Sequence, residues 1–161
     1  MYDFKYISIY YDTNNKMIGV PCGKKPNDNN YGIRELDIYF EFELTTNDDE
    51  LETFLIKVFY ACYSKVSANN EPTALQKYTG KKGYAAAAKG FQHMSIDWSE
   101  GKGYTFHPMQ VDKKHKGAFT SIKGKLSINV TKHNKHIPLE KGALALAFRK
   151  AKEIIDEINL L

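Results

Sequence analysis

The chain has 161 residues, of which 42% are hydrophobic and 26% are charged, and its formal net charge is +4. This length and composition predict one globular domain over residues 1–161 with its own core. No window approaches the apolar length of a membrane span, and no export signal is recognisable at the N-terminus, so we expect an unexported cytoplasmic protein that does not bind membranes.

Charge is distributed unevenly along the chain. Residues 1–60 hold 6 basic and 11 acidic side chains, a net −5, whereas residues 61–161 hold 17 basic and 8 acidic ones, a net +9. Only Arg34 and Arg149 are arginines. Because guanidinium is the group favoured for reading bases and phosphates, the basic half predicts generic electrostatic attraction rather than sequence recognition.

The first elements are predicted to be strands. Aromatic and β-branched residues from Tyr2 to Tyr11 favour a strand that ends at a turn, and Met17–Val20 can return as its hairpin partner. Pro21 limits further ladder pairing, and residues 24–32 have the composition of an exposed loop.

The stretch Glu35–Leu44 alternates apolar and polar residues more cleanly than any other. Such alternation predicts a half-buried strand, which we place at the centre of the sheet. Its apolar face is predicted to hold Leu36, Ile38, Phe40, Phe42 and Leu44, and its acidic face Glu35, Asp37, Glu41 and Glu43.

Two long helices are predicted, over 48–66 and 139–159, because apolar residues recur in each at the spacing of one helical face. Shorter helical pieces are expected at 73–78 and 84–89. In the first long helix Ile56, Tyr60 and Tyr63 form a second stripe on its flank. This stripe predicts contact with another element or with a partner.

A hairpin is predicted from Gln92–Glu100 and Tyr104–Val111, joined by Gly101-Lys102-Gly103. In that register Trp98 faces Phe106 on the buried side, and Asp97 lies directly across from His107. A further strand over 122–131 presents a basic outer face. The order of elements predicts an α+β fold of two layers, in which two long helices and short helical pieces cover one face of a mostly antiparallel sheet of about six strands.

Several residues are candidates for chemistry. Asp97 can orient the imidazole of His107 while His93 supplies a second proton-transfer group, which is one interpretation; the other is a surface pair without catalytic function. His133, His136 and His115 lack the further ligands of a metal site, so we expect neither metal nor cofactor. The loop 79–83 lacks the ending of a phosphate-binding loop, and Cys22 and Cys62 are expected to be reduced.

Lysines downstream of the hairpin form the main basic segment. They either bind a phosphate backbone, dock an acidic protein surface or pair with the acidic strand. The residues of this segment that we predict to contact a partner are Lys113, Lys114, Lys116, Lys123 and Lys125.

The sequence contains no set of residues that specifies a chemistry. We therefore expect a non-enzymatic binding protein that neutralises or regulates a partner macromolecule, most simply a protein such as a toxin, in the manner of an immunity protein, antitoxin or phage inhibitor. The alternative is a nucleic-acid-binding protein, including a metal-independent nuclease that uses Asp97, His107 and His93.

Overall fold

A computed structural model describes residues 3–25, 32–67, 72–122, 128–129 and 140–159. The strands are β1 (Phe4–Tyr11), β2 (Lys16–Lys24), β3 (Ile33–Glu35), β4 (Phe40–Glu43), β5 (Gln92–Ser99), β6 (Gly103–Val111), β7 (Phe119–Ser121) and β8 (Ile128–Asn129). The helices are α1 (Asp48–Tyr60), α2 (Ala74–Thr79), α3 (Tyr84–Ala88) and α4 (Ala143–Asn159).

The strands form one antiparallel sheet that curls into a half-barrel. Its order is β3-β2-β1-β5-β6-β7, with β4 paired to β2 and β8 paired to β6. The predicted α+β fold is confirmed. The predicted strand at 122–131 is described only in part, because 123–127 and 130–131 lie outside the described residues.

Both faces of the sheet are covered where β1 runs. Ile7, Ile9 and Tyr11 of β1 belong to the core that α1 and α4 cover. The intervening Tyr10 belongs to a second cluster, on the opposite face, with residues of α2 and α3. Side chains alternate between the faces of a strand, so β1 contributes to both clusters at once. The short helices thus cover the face that the long helices leave open.

The long helices begin at side chains that accept hydrogen bonds from their first N–H groups. In α1 the Asn47 side chain accepts from the Glu50 N–H at 3.1 Å. At the start of α4 the Glu52 carboxylate, on α1, accepts from the N–H groups of Gly142 and Ala145, both at 3.0 Å. The helix predicted over 48–66 ends earlier, at Tyr60.

The prediction of a continuous central strand over 35–44 is wrong. Glu35 is the last residue of β3, residues 36–39 form no strand, and β4 begins at Phe40; both strands pair with β2 at the edge of the sheet. Pairing changes from one to the other around Pro21, which has no N–H to donate. Within β4 the predicted alternation holds, since Phe42 stacks on Phe54 of α1 while Glu41 and Glu43 are exposed.

Two of the predicted outward carboxylates point inward. Asp37 is buried and forms ion pairs with Lys65 at 2.7 Å and Lys77 at 2.8 Å. The Glu35 carboxylate accepts a hydrogen bond from the Tyr10 hydroxyl at 2.6 Å, and burial raises the pKa of Glu35. Both carboxylates are bound by side chains of other elements instead of lying in one exposed row, so the predicted acidic face does not form there.

The predicted hairpin forms from β5 and β6, but its register differs by two residues. Ile96 lies opposite Phe106, and Trp98 lies opposite Tyr104, because the turn pairs Ser99 with Gly103. The Lys102 N–H closes this turn on the Ser99 carbonyl at 3.1 Å. A shift of two residues preserves the faces, so Trp98 and Phe106 share a face as diagonal neighbours.

We expect Gly19→Ala to lower the free energy of unfolding by about 1–3 kcal/mol. A Cβ at position 19 would lie 2.6 Å from Val58 Cγ2 and 3.0 Å from Phe54 Cζ, which presses α1 away from β2. Gly83→Ala is the matched control, because its Cβ would meet nothing within 4 Å and its φ of −90° suits alanine. Urea unfolding measures both variants, and equal stability would contradict the close packing of α1.

Candidate functional site

The turn between β6 and β7 presents the basic residues that the sequence singled out. Lys113, Lys114 and Lys116 are exposed there. Among the residues that the structure describes, none of these three ammonium groups forms an ion pair with a carboxylate. Lys123 and Lys125 lie outside the described residues. The turn therefore carries a concentrated positive charge available to a partner.

Hydrogen bonds to the Asp112 carboxylate hold this turn in place. Its carboxylate accepts from the Lys114 N–H at 2.8 Å and lies 3.0 Å from His115 Nδ1. The pKa of Asp112 lies below its usual range, chiefly because of the Lys114 N–H and secondly because of His115. Gly117 has a φ of +81°, and a Cβ there would lie 2.6 Å from the Cα of Ala85. The basic turn thus packs directly against α3.

A cleft of about 460 Å³ opens between α3 and the β6–β7 turn. Its volume lies within the range of ligand pockets in proteins, and most of its lining is apolar. Lys89 and Lys116 lie among its polar lining residues. The apolar side chains that line it are Ala85, Ala88, Phe91, Val111, Ala118 and Phe119.

The sequence indicated the lysines but not this cleft. Val111, at the end of β6, is 46% exposed, which its place at the end of an apolar strand did not reveal. The cleft lining comes from two segments, 85–92 and 111–119, which the pairing of β5 with β6 and the packing of Gly117 on Ala85 bring together.

The structure brings Asp97 and His107 together. The Nε2 atom of His107 lies 2.8 Å from Asp97 Oδ2, and each side chain is about one third exposed. The prediction that they lie directly opposite is wrong, because Asp97 pairs with Thr105 and His107 with Ser95. They meet as diagonal neighbours on one face, within reach of a carboxylate and an imidazole. The pair can orient one imidazole for proton transfer.

His93 does not join this pair as an accessible group. It is 7% exposed and stacks on Tyr10, with 4.6 Å between the ring centroids. Its Nδ1 atom lies 3.2 Å from the Ile9 carbonyl oxygen, which can only accept, so Nδ1 carries the proton. Burial lowers the pKa of His93 to about 4. The imidazole is therefore neutral at pH 7 and belongs to the core.

The stripe predicted on α1 is divided among three environments. Tyr60 is 80% exposed, whereas Ile56 packs against the main core. Tyr63 lies beyond the end of the helix with a φ of +62°, and its hydroxyl donates to the Phe4 carbonyl at 2.7 Å. Of the three, Tyr60 alone offers most of its side chain to a partner.

The remaining candidates stay separate. His115 contacts Asp112, while His133 and His136 lie outside the described residues. Within the described ranges no three His, Cys, Asp or Glu side chains are grouped so that they hold a metal ion. In the loop 79–83, Gly80 ends α2 with a left-handed φ of +74° and Gly83 precedes α3. Among all the residues that the structure describes, no helix is long and apolar enough to cross a bilayer.

Comparisons with known proteins bear on the fold alone. No protein-family model matches the sequence, and no curated protein matches it significantly. A solved structure from Neisseria meningitidis, described as "Protein of Unknown Function NMB0488", is similar with a TM-score of 0.53. The two chains are 15% identical, and the match covers 91% of this chain and 94% of the other. The half-barrel with its helices therefore also occurs in a protein of another sequence.

We expect acid to destabilise the protein partly through His93. The folded-state pKa of about 4 lies below the ordinary 6.5, so the unfolded chain takes up a proton first as the pH falls. The buried neutral imidazole therefore contributes roughly 3 kcal/mol to the free energy of unfolding above pH 6.5, and this contribution is lost as the pH falls toward 4. Urea unfolding at pH 7 and pH 4.5 should show a smaller loss for His93→Gln than for the wild type. Equal losses would contradict a buried neutral imidazole.

Proposed function

We propose that this protein is a non-enzymatic binding protein that neutralises or regulates a protein partner, in the manner of an immunity protein, antitoxin or phage-encoded inhibitor. The observation that carries the proposal is the apolar cleft beside the exposed ammonium groups of Lys113, Lys114 and Lys116. Protein interfaces combine an apolar centre, where anchoring side chains enter pockets, with a polar rim. The cleft and its lysines have this arrangement.

The charge of the rim indicates the chemistry of the partner. Three exposed lysines without ion-pair partners among the described residues attract an acidic surface, which speeds the encounter. The apolar lining of the cleft then takes an aromatic or aliphatic side chain, whose burial slows dissociation. The partner is therefore an acidic protein surface with a protruding apolar side chain. Tyr60 stays a second candidate for contact, on α1.

The proposal assigns the protein to the cytoplasm. Its two cysteines are buried thiols, as is usual for proteins of a reducing compartment.

Variants of the rim and of the cleft should change different rates. Tagged protein is purified from its native host with protein and nucleic acid both identified, and binding kinetics are then measured on the purified partner. We expect Lys113→Ala/Lys114→Ala/Lys116→Ala to slow association roughly tenfold at low salt, because long-range attraction is lost. We expect Val111→Ser to speed dissociation, because it removes apolar area from the cleft.

Matched controls separate location from charge and from hydrophobicity. Lys81→Ala/Lys102→Ala/Lys150→Ala removes the same charge from exposed positions outside the turn, and Leu146→Ser changes an apolar residue that is 56% exposed on α4. Both controls should bind like the wild type. If the controls weaken binding as much as the test variants, or no protein partner is recovered, the proposal fails.

Nucleic-acid binding is the second candidate, and the clustered lysines favour it. Phosphate contacts would make affinity for mixed-sequence RNA and DNA fall steeply with salt, while Val111→Ser would have little effect. Tight binding of this kind, without a protein partner, would replace the proposal. The apolar lining of the cleft favours the protein, because backbone phosphates do not need it.

Substitutions in the Asp97–His107 pair distinguish a binding protein from a nuclease. We expect Asp97→Asn and His107→Gln each to leave partner affinity within about twofold of the wild type, because the pair lies on β5 and β6 outside the cleft lining. Binding kinetics and an RNA-cleavage assay measure both variants, with circular dichroism as the check on folding. An RNA-cleaving activity that either substitution abolishes while the fold is intact would support the nuclease instead.

A further inference from the structure

The two cysteines meet where β2 separates from β1. The Tyr6 N–H donates to the Cys22 sulfur at 3.4 Å, and the Cys62 thiol donates to the Tyr6 carbonyl at 3.5 Å. The N–H and C=O of one strand residue point to the same side, where a paired strand normally supplies a backbone carbonyl and N–H. The two sulfur atoms thus replace one backbone pairing at Tyr6.

The backbone of Cys22 is engaged elsewhere, which keeps its sulfur in this place. Its carbonyl accepts from the Tyr63 N–H at 2.8 Å, and the Lys24 carbonyl accepts from the Ser67 N–H at 3.0 Å. The chain that follows α1 therefore runs beside the end of β2. As a result Cys62, immediately before Tyr63, lies next to Cys22.

The groups around the two sulfur atoms make the thiols unequal. The neighbouring Cys62 thiol and the Tyr6 N–H, which donates to the Cys22 sulfur, lower the pKa of Cys22 to about 7 against the effect of burial. The neighbouring Cys22 sulfur and burial raise the pKa of Cys62. Cys22, whose sulfur accepts from an N–H, is thus the nucleophile, and Cys62, whose thiol donates to a carbonyl, is the group that then reacts with it.

We propose that Cys22 and Cys62 are a redox-active thiol pair that a hydroperoxide converts into an intramolecular disulfide. The Cys22 thiolate attacks one peroxide oxygen and becomes a sulfenic acid, while the O–O bond breaks and the leaving oxygen takes a proton. The Cys62 sulfur then attacks the Cys22 sulfur, the S–S bond forms, and the sulfenic oxygen leaves as water. Two thiols lose two electrons and two protons, and hydrogen peroxide becomes two water molecules.

Burial selects the oxidant. Cys22 is fully buried and Cys62 is 7% exposed, so a molecule the size of hydrogen peroxide reaches the sulfur atoms more readily than a bulky aromatic disulfide. Two cysteines used only for packing would not both need contact with the backbone of Tyr6. The disulfide would link β2 to the chain after α1 and restrict the unfolded chain.

The test uses the purified full chain, with no partner and no assumption about function. After hydrogen peroxide treatment, denaturation and alkylation, we expect a monomer that has lost two hydrogen atoms and carries no alkyl group, with a peptide linking residues 22 and 62. Dithiothreitol should reverse the change. We expect the melting temperature to rise by about 5–15 °C on oxidation, because the bond closes a long loop.

Two single variants give the matched comparison. In Cys62→Ser the Cys22 sulfenic acid should persist and react with dimedone, and peroxide should not raise the melting temperature. In Cys22→Ser, Cys62 should react with peroxide at least tenfold more slowly than wild-type Cys22. The proposal fails if both wild-type thiols are alkylated after peroxide treatment, if only intermolecular disulfides form, or if Cys22 passes to sulfinic acid without linking to Cys62. The wild-type result alone decides the matter if a serine variant does not fold.

Discussion

Burial of β1 on both faces is the constraint from which the rest of the structure follows. Ile7 and Ile9 on one face require the long helices, while Tyr10 on the other requires a second layer, which α2 and α3 supply. The position of α3 then determines where the β6–β7 turn packs, and hence where the cleft opens. The cleft beside the β6–β7 turn thus depends on the residues of a strand at the centre of the sheet.

Much of the architecture was predictable because local signals agree with the final structure. Asn47 and the carboxylates after it begin α1, Thr73 begins α2, and the glycines at 101 and 103 supply the left-handed conformations of the hairpin turn. The central strand was misjudged for a physical reason. Clean alternation marks a strand with one face in water, whereas a strand buried on both faces, like β1, shows an almost continuous apolar run.

The candidate site was predictable in part. Asp97 and His107 came together despite the wrong register, since a shift of two residues leaves every side chain on its own face. His93 shares their face, but its burial depends on Tyr10 and Phe119, which come from other strands, so strand position alone did not reveal it. The thiol pair was equally hidden, because it requires the chain after α1 to return beside β2.

The start of α4 couples the two long helices to each other. Glu52 of α1 accepts from both Gly142 and Ala145, and Arg149 donates to Asp48 and to the Thr45 carbonyl. The first turns of the last helix are thus held by residues that lie far earlier in the chain, at the start of α1. These bonds exist only when α1 and α4 lie side by side, so each of the two helices depends on the other for part of its stability.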